Sequence, residues 1–158
     1  AGRFNGTISN CTSNATVYGI NYVGGIMGMR DNSMGDNYVT GCTFGGTVEV
    51  SGQNAGGIVA GNKGPIKNAY NMGSVTVENG AIGKGIVAAG NGTITNAFYF
   101  DPSTQRYYDY DGAEYTSTEA FNQSFMEGAA ASGEQAAWLG YSDAAVTGVP
   151  VTAGCQHR

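Results

Sequence analysis

Short runs built around Ile and Val return along the first hundred residues at a nearly constant interval, each bounded by Gly or Asn. One pattern occurs four times: Ile8-Ser9-Asn10-Cys11, Val39-Thr40-Gly41-Cys42, Ile66-Lys67-Asn68-Ala69 and Ile94-Thr95-Asn96-Ala97, whose first residues lie 31, 27 and 28 positions apart. A second keeps step with it: Gly24-Gly25-Ile26-Met27-Gly28, Gly56-Gly57-Ile58-Val59-Ala60 and Gly83-Lys84-Gly85-Ile86-Val87-Ala88. A third pairs Gly46-Thr47-Val48-Glu49-Val50 with Gly73-Ser74-Val75-Thr76-Val77. Stretches this short, ended by turn formers, predict strands of four or five residues; a helix would need a longer periodic run.

Each unit carries too few apolar residues to enclose a core alone, so it must stack on its neighbours. Stacked strands place like residues about 4.8 Å apart along the axis. The expected fold is therefore all-β, a β-helix-like solenoid of three to four coils. Ile8, Val39, Ile66 and Ile94 are expected to form one internal ladder, and Ile26, Ile58 and Ile86 a second. Val48 over Val75 and Val50 over Val77 extend a third, and Cys11, Cys42, Ala69 and Ala97 make a column of small residues. Gly is expected at corners that need positive φ and where coils approach closely. Asn10, Asn68 and Asn96 suit left-handed corners and can bond along their own column.

The stretch Gly56-Gly57-Ile58-Val59-Ala60-Gly61-Asn62-Lys63-Gly64-Pro65-Ile66-Lys67-Asn68-Ala69-Tyr70-Asn71-Met72-Gly73-Ser74-Val75 resembles the GLUG repeat of bacterial surface adhesins, a repeat also found beside the catalytic domain of some IgA-cleaving metallopeptidases. The unit at 53 to 80 matches closely, those at 21 to 50 and 81 to 100 in part, and residues 1 to 20 resemble the end of an earlier unit. The resemblance implies a solenoid in an extracellular or cell-surface setting, and it brings no catalytic residues. Gly41 in place of Asn, Ala69 and Ala97 in place of Cys, and Lys84 in place of Gly depart from its pattern.

After Phe98-Tyr99-Phe100-Asp101-Pro102 the repeat stops, since Pro bars simple continuation of a ladder. The chain thus divides into solenoid repeats over 1–100 and an acidic capping segment over 101–158. The open end of a solenoid needs an atypical cover. Thr116-Ser117-Thr118-Glu119 has capping-box spacing and predicts a helix over about 117–130, with a second after Ser132-Gly133-Glu134-Gln135. Phe121, Phe125, Trp138 and Leu139 would then lie over the last coil.

Composition sharpens this picture. Of 158 residues, 27 are Gly and only 12% are charged, which disfavours a helical bundle. Residues 1–100 hold five Lys and Arg against four Asp and Glu, while 101–158 hold two against eight. With a net charge of -5 and no basic cluster, nucleic acid is not an expected partner. No apolar run reaches the roughly 20 residues of a transmembrane helix, so no transmembrane segment is expected.

Little catalytic chemistry is on offer. The sole histidine, His157, lies next to the last residue, and the repeats contribute only Asp31, Asp36, Glu49 and Glu78 as carboxylates. The three cysteines, Cys11, Cys42 and Cys155, include no C-x-x-C pair, and the first two, on one ladder, are expected to stay thiols. Asp101, Asp109 and Asp111 near Gly112 form a weak calcium candidate that lacks the further acids of an EF-hand loop; otherwise no cofactor is expected. Tyr107, Tyr108, Tyr110 and Tyr115 are the candidate ligand-binding residues, since flat aromatic faces stack on sugar rings. The expected role is a non-catalytic structural or adhesive module at a bacterial surface, contacting host glycan or protein and self-associating end to end into fibres in its sharper form. The alternative is an ancillary repeat region of a surface enzyme, such as an IgA-cleaving metallopeptidase or a carbohydrate-active β-helix.

Overall fold

The computed structural model describes residues 2–30, 39–110, 113–115 and 127. The first coil runs through β1 (Ile8–Ser9), β2 (Thr12–Ser13), β3 (Thr16–Gly19), β4 (Val23–Gly24) and β5 (Met27–Met29). The second repeats that order in β6 (Val39–Thr40), β7 (Thr43–Phe44), β8 (Thr47–Val50), β9 (Asn54–Gly56) and β10 (Val59–Asn62). In the third, β11 (Ile66–Asn71) spans the place of two short strands and is followed by β12 (Ser74–Val77), β13 (Ile82–Lys84) and β14 (Val87–Gly90). The chain then enters β15 (Ile94–Asp101) and folds back through β16 (Arg106–Asp109) and β17 (Glu114–Tyr115). The molecule is an all-β solenoid of about three turns.

Four sheets run along the axis. Three have three parallel strands each, in the orders β3-β8-β12, β4-β9-β13 and β5-β10-β14. The fourth runs β1-β6-β11-β15-β16-β17, with β2 and β7 pairing alongside. The registers reproduce the expected ladders: Ile8 pairs with Val39, Val39 with Ile66 and Ile66 with Ile94. Ile26 N donates to Ile58 O at 3.1 Å and Ile58 N to Ile86 O at 3.1 Å, which joins the second ladder rung by rung. Val48 pairs with Val75 and Val50 with Val77, and Val17 and Gly19 of β3 continue these columns into the first coil. Residues 8 to 19 thus contribute a rung of their own.

Burial follows position along the axis. Val39, Ile58, Val59, Val48 and Ile66 are fully buried, while Ile8, Val17, Val75, Val87 and Ile94 in the outer rungs are partly exposed. Only the middle of a stack has a neighbour on both sides.

Asn behaves as expected and does more. Asn10, Asn68 and Asn96 adopt φ of 53°, 51° and 52°, and Gly41 takes the same corner at 63°, which accounts for Gly in place of Asn there. Asn96 Nδ2 donates to Asn68 Oδ1 at 2.8 Å along the column. Two further asparagines hold the interior. Buried Asn71 donates to Gly85 O at 2.9 Å and accepts from Gly73 N at 2.8 Å, while Asn62 donates to Gly64 O at 2.6 Å and accepts from Gly64 N at 3.2 Å. Without these bonds two buried amides would be unsatisfied at a cost of about 1–3 kcal/mol each.

The glycines of the second pattern are explained by close approach. A Cβ on Gly25 would strike the ring of Phe44, one on Gly57 the amide of Asn71, and one on Gly85 the ring of Tyr99. Phe44, Asn71 and Tyr99 are successive rungs of one inward column, so the Gly column is the space into which that column packs. Positive φ among the described glycines is confined to Gly41, Gly80 and Gly90.

Pro102 marks the change of architecture. Parallel stacking ends at β15, and the next strand returns antiparallel, with Phe98 opposite Asp109, Tyr99 opposite Tyr108, Phe100 opposite Tyr107 and Asp101 opposite Arg106. Of the helix expected over 117–130 only Glu127 is described, in helical conformation; the rest of it, the helix expected after 132, and Phe121, Phe125, Trp138 and Leu139 lie outside the described residues, as do Asp31, Asp36, Cys155 and His157.

Candidate functional site

Three regions bear on function: the hairpin with its tyrosines, the outward face of β3-β8-β12, and the two ends of the stack. Alternation along a strand decides which side chains meet. Since Tyr99 faces inward toward Gly85, its antiparallel partner Tyr108 shares that side, while Phe98, Phe100, Tyr107 and Tyr115 take the other.

The four tyrosines therefore do not form one patch. Tyr108 stacks on Tyr99 with centroids 5.4 Å apart and planes at 22°. On the opposite side Tyr107 packs on Phe100 at 5.0 Å, and Tyr115 meets Phe98 edge-on at 5.6 Å. Tyr107 is only 7% exposed, so its ring is a packing element and offers no free face to a sugar. Tyr110 is exposed and holds its place through its backbone N, which donates to Ala97 O at 2.8 Å. Burial raises the Tyr99 hydroxyl above the usual phenol range, and the negative charge of Asp101 nearby adds to the rise. Burial also raises Tyr70, partly offset by its bond with the Thr43 hydroxyl.

The acidic residues of this region are likewise separated. Asp101 sits opposite Arg106 and Asp109 opposite Phe98, at the two ends of the paired segment and on opposite faces. Asp101 Oδ1 accepts from Ser103 Oγ at 2.6 Å and Ser103 N at 2.8 Å, bonds that hold its carboxyl below the usual aspartate range. Asp109 Oδ1 accepts from Ala113 N at 2.8 Å. Both carboxylates close turns, and Asp111 lies outside the described residues. Among the described residues no group of three or more His, Cys, Asp or Glu converges.

A concave site that sequence reasoning missed lies on the outward face of β3-β8-β12. Val17, Val48 and Val75 point into the core, so Tyr18, Glu49 and Thr76 form an outward column. Beside it Thr16, Thr47 and Ser74 form another, joined where Ser74 Oγ donates to Thr47 Oγ1 at 3.3 Å. Tyr18, Glu49, Val50, Thr76 and Glu78 line a hollow of about 170 Å³. Tyr18 is 67% exposed. Glu49 pairs in register with Tyr18 and Thr76, so the two glutamates share the hollow without sharing a rung. The signal for this site was the alternation of Thr16-Val17-Tyr18-Gly19, which is legible only once those residues are assigned a rung.

Larger hollows lie toward the ends. One of about 490 Å³, lined in part by Val17, Tyr18, Tyr22 and Val23, belongs to the first coil. Another of about 380 Å³, lined in part by Val75, Lys84, Tyr99 and Asp101, lies between the last coil and the turn into the hairpin. Exposed apolar side chains follow the same distribution: Phe4, Tyr18 and Ile20 near one end, Val77 and Ile82 near the other. Val77 keeps its predicted register over Val50 but is 38% exposed. Cys11 and Cys42 occupy neighbouring rungs as thiols, with Cys42 Sγ donating to Thr40 O at 3.3 Å.

No described helix is long and apolar enough to cross a membrane. Comparison with protein-family models gives no match, and comparisons with curated proteins and with solved structures give none either.

Proposed function

We propose that this chain is a non-catalytic structural or adhesive module of a bacterial surface protein, working outside the cell. The observation that carries the reading is the continuous ladder from Ile8 to Ile94, which commits the recurring side chains to shape and leaves outward faces free to differ. Binding on such a scaffold resides in its faces. The resemblance of residues 56–75 to the GLUG repeat supports the surface setting. Host glycan fits the β3-β8-β12 face: the Tyr18 ring offers a stacking platform, and Glu49, Thr76 and Glu78 offer hydrogen-bond partners for sugar hydroxyls. A glycan array probed with the 158-residue protein tests this. Binding lost in Tyr18→Ala, with an unchanged circular dichroism spectrum, supports adhesion; absence of binding to any glycan leaves the structural role.

One observation favours a second reading, a carbohydrate-active surface enzyme or part of one. Glu49 and Glu78 line a single hollow beside an aromatic ring, and glycoside cleavage uses a pair of carboxylates. Release of reducing ends from a polysaccharide panel, abolished by Glu49→Gln or Glu78→Gln, would establish it.

A further inference from the structure

Both ends of the stack carry strands with one free side, yet one sheet at each end is closed by other means. At the first coil, Met29 N donates to Gly2 O at 2.9 Å and Phe4 N to Met29 O at 3.1 Å, so residues 2–4 cover β5. At the last, β16 covers Phe98 to Asp101 of β15. Strands β12, β13 and β14 have no further strand on their outer side among the described residues, and neither do β1, β2, β3 and β4 on theirs.

We infer that the β16–β17 hairpin is an assembly block: it occupies the Phe98–Asp101 part of the β15 edge, which β2 in the first coil of a second copy would otherwise take. The inference is independent of where the protein works and of what its faces bind. It rests on which edge is covered and how. Strand β15 has eight residues, the longest strand among the described residues, and contains Phe98, Tyr99 and Phe100, whereas β12, β13 and β14 have four, three and four. A long apolar edge is the one most prone to recruit another chain. The cover is antiparallel, so it cannot itself extend the repeat. Its outermost strand among the described residues, β17, carries Glu114, ion-paired with Arg106, and charged edges resist further pairing. The turn that sends the chain back is fixed by the Asp101–Ser103 bonds, by Gln105 Nε2 donating to Pro102 O at 2.8 Å, and by Gln105 at φ 56°.

The occupant excluded is a second copy, because the repeat defines its register. Within the chain Ile66 receives Ile94 on one side and Val39 on the other, and Tyr70 receives Phe98 and Thr43. An uncovered β15 would by the same rule receive β1 and β2 of the next copy, with Ile94 to Ile8 and Phe98 to Thr12. Strands β12 and β13 would receive β3 and β4, setting Val77 against Gly19 and Gly83 against Val23. Those size pairings match ones already present, where Val50 meets Gly19 and Ala55 meets Val23. With the hairpin in place, β16 and Tyr110 N already fill the level that β2 of the next copy requires, beside Ala97, Phe98 and Tyr99, so the next copy cannot seat its first coil even though Ile94 to Asn96 have no described strand beside them.

The test compares the full 158-residue protein with Tyr108→Pro, which removes a strand donor and the stack on Tyr99, using light scattering over a concentration series. The expected result is a fixed size for the parent at all concentrations and a mass that rises with concentration, to two chains and beyond, for Tyr108→Pro with its β-type circular dichroism kept. A third protein, Tyr108→Pro with Thr12→Pro, separates ordered stacking from nonspecific aggregation, because it spoils the receiving edge of β2 and should return the mass to the parent value. The inference is overturned if Tyr108→Pro stays at the parent size, if Thr12→Pro fails to suppress its growth, or if the parent itself grows into longer chains.

Discussion

The middle coil and the hairpin solve the same problem, how to satisfy a strand on both sides, with different materials. In the middle coil, every rung finds a copy of itself above and below, and Val39, Val48, Ile58 and Val59 are fully enclosed. In the hairpin, β16 has dissimilar partners on each side, joined by aromatic pairs and turn-closing carboxylates. Repetition supplies the core, and departure from repetition supplies the boundary. The two regions should therefore fail differently under mutation.

The largest expected effect lies in the middle coil. Ile58→Ala should cost about 2–5 kcal/mol, because the site is closed by rungs on both sides and cannot collapse. The equivalent cut at the first rung, Ile8→Ala, should cost clearly less, since Ile8 is partly exposed. Urea unfolding of the two variants measures the gap, and equal losses would remove the distinction between middle and end. Next is Asn68→Ala, which puts a Cβ-bearing residue without a side-chain amide at a left-handed corner and breaks the bond from Asn96, for a loss of about 2 kcal/mol. Asn68→Gly should recover much of this, as Gly41 already serves the same corner. Thermal melts of the pair would show whether conformation or the bond dominates.

The hairpin should respond more weakly and locally. Tyr108→Ala removes the ring stacked on Tyr99, worth about 0.5–1.5 kcal/mol, and should raise amide exchange in β15 to β17 while leaving β8 to β10 unchanged. The smallest effect is expected from acid. Asp101 titrates below its usual range, so its contribution is complete above the ordinary aspartate value and is lost as pH falls through the lower folded value. Protection of the Ser103 amide, its exchange measured against the intrinsic rate at the same pH, should therefore fall on strong acidification in the parent and stay constant in Asp101→Asn.

The repeat made the architecture legible because its signal is redundant: four occurrences of one pattern and three of another fix registers that no single strand would. The Asn corners were legible for the same reason. Less legible was anything set by alternation in a single segment. Whether Tyr107 or Tyr108 faces inward depends on the antiparallel register after Pro102, and nothing in the repeat specifies that register. Clustering in sequence therefore suggested one tyrosine patch where the strand divides the rings between two faces. The placement of Asp101 and Asp109 was hidden similarly, since they are eight positions apart in sequence but pair with opposite ends of the hairpin. The Tyr18, Glu49 and Glu78 hollow combines three coils, and its members share no local motif.

The column of Gly25, Gly57 and Gly85 has a mechanical consequence. Because each makes room for a bulky group of the facing sheet, the coil walls are braced across the interior as well as linked along it. A load on one wall is passed to the opposite wall through Phe44, Asn71 and Tyr99, so the cross-section resists flattening.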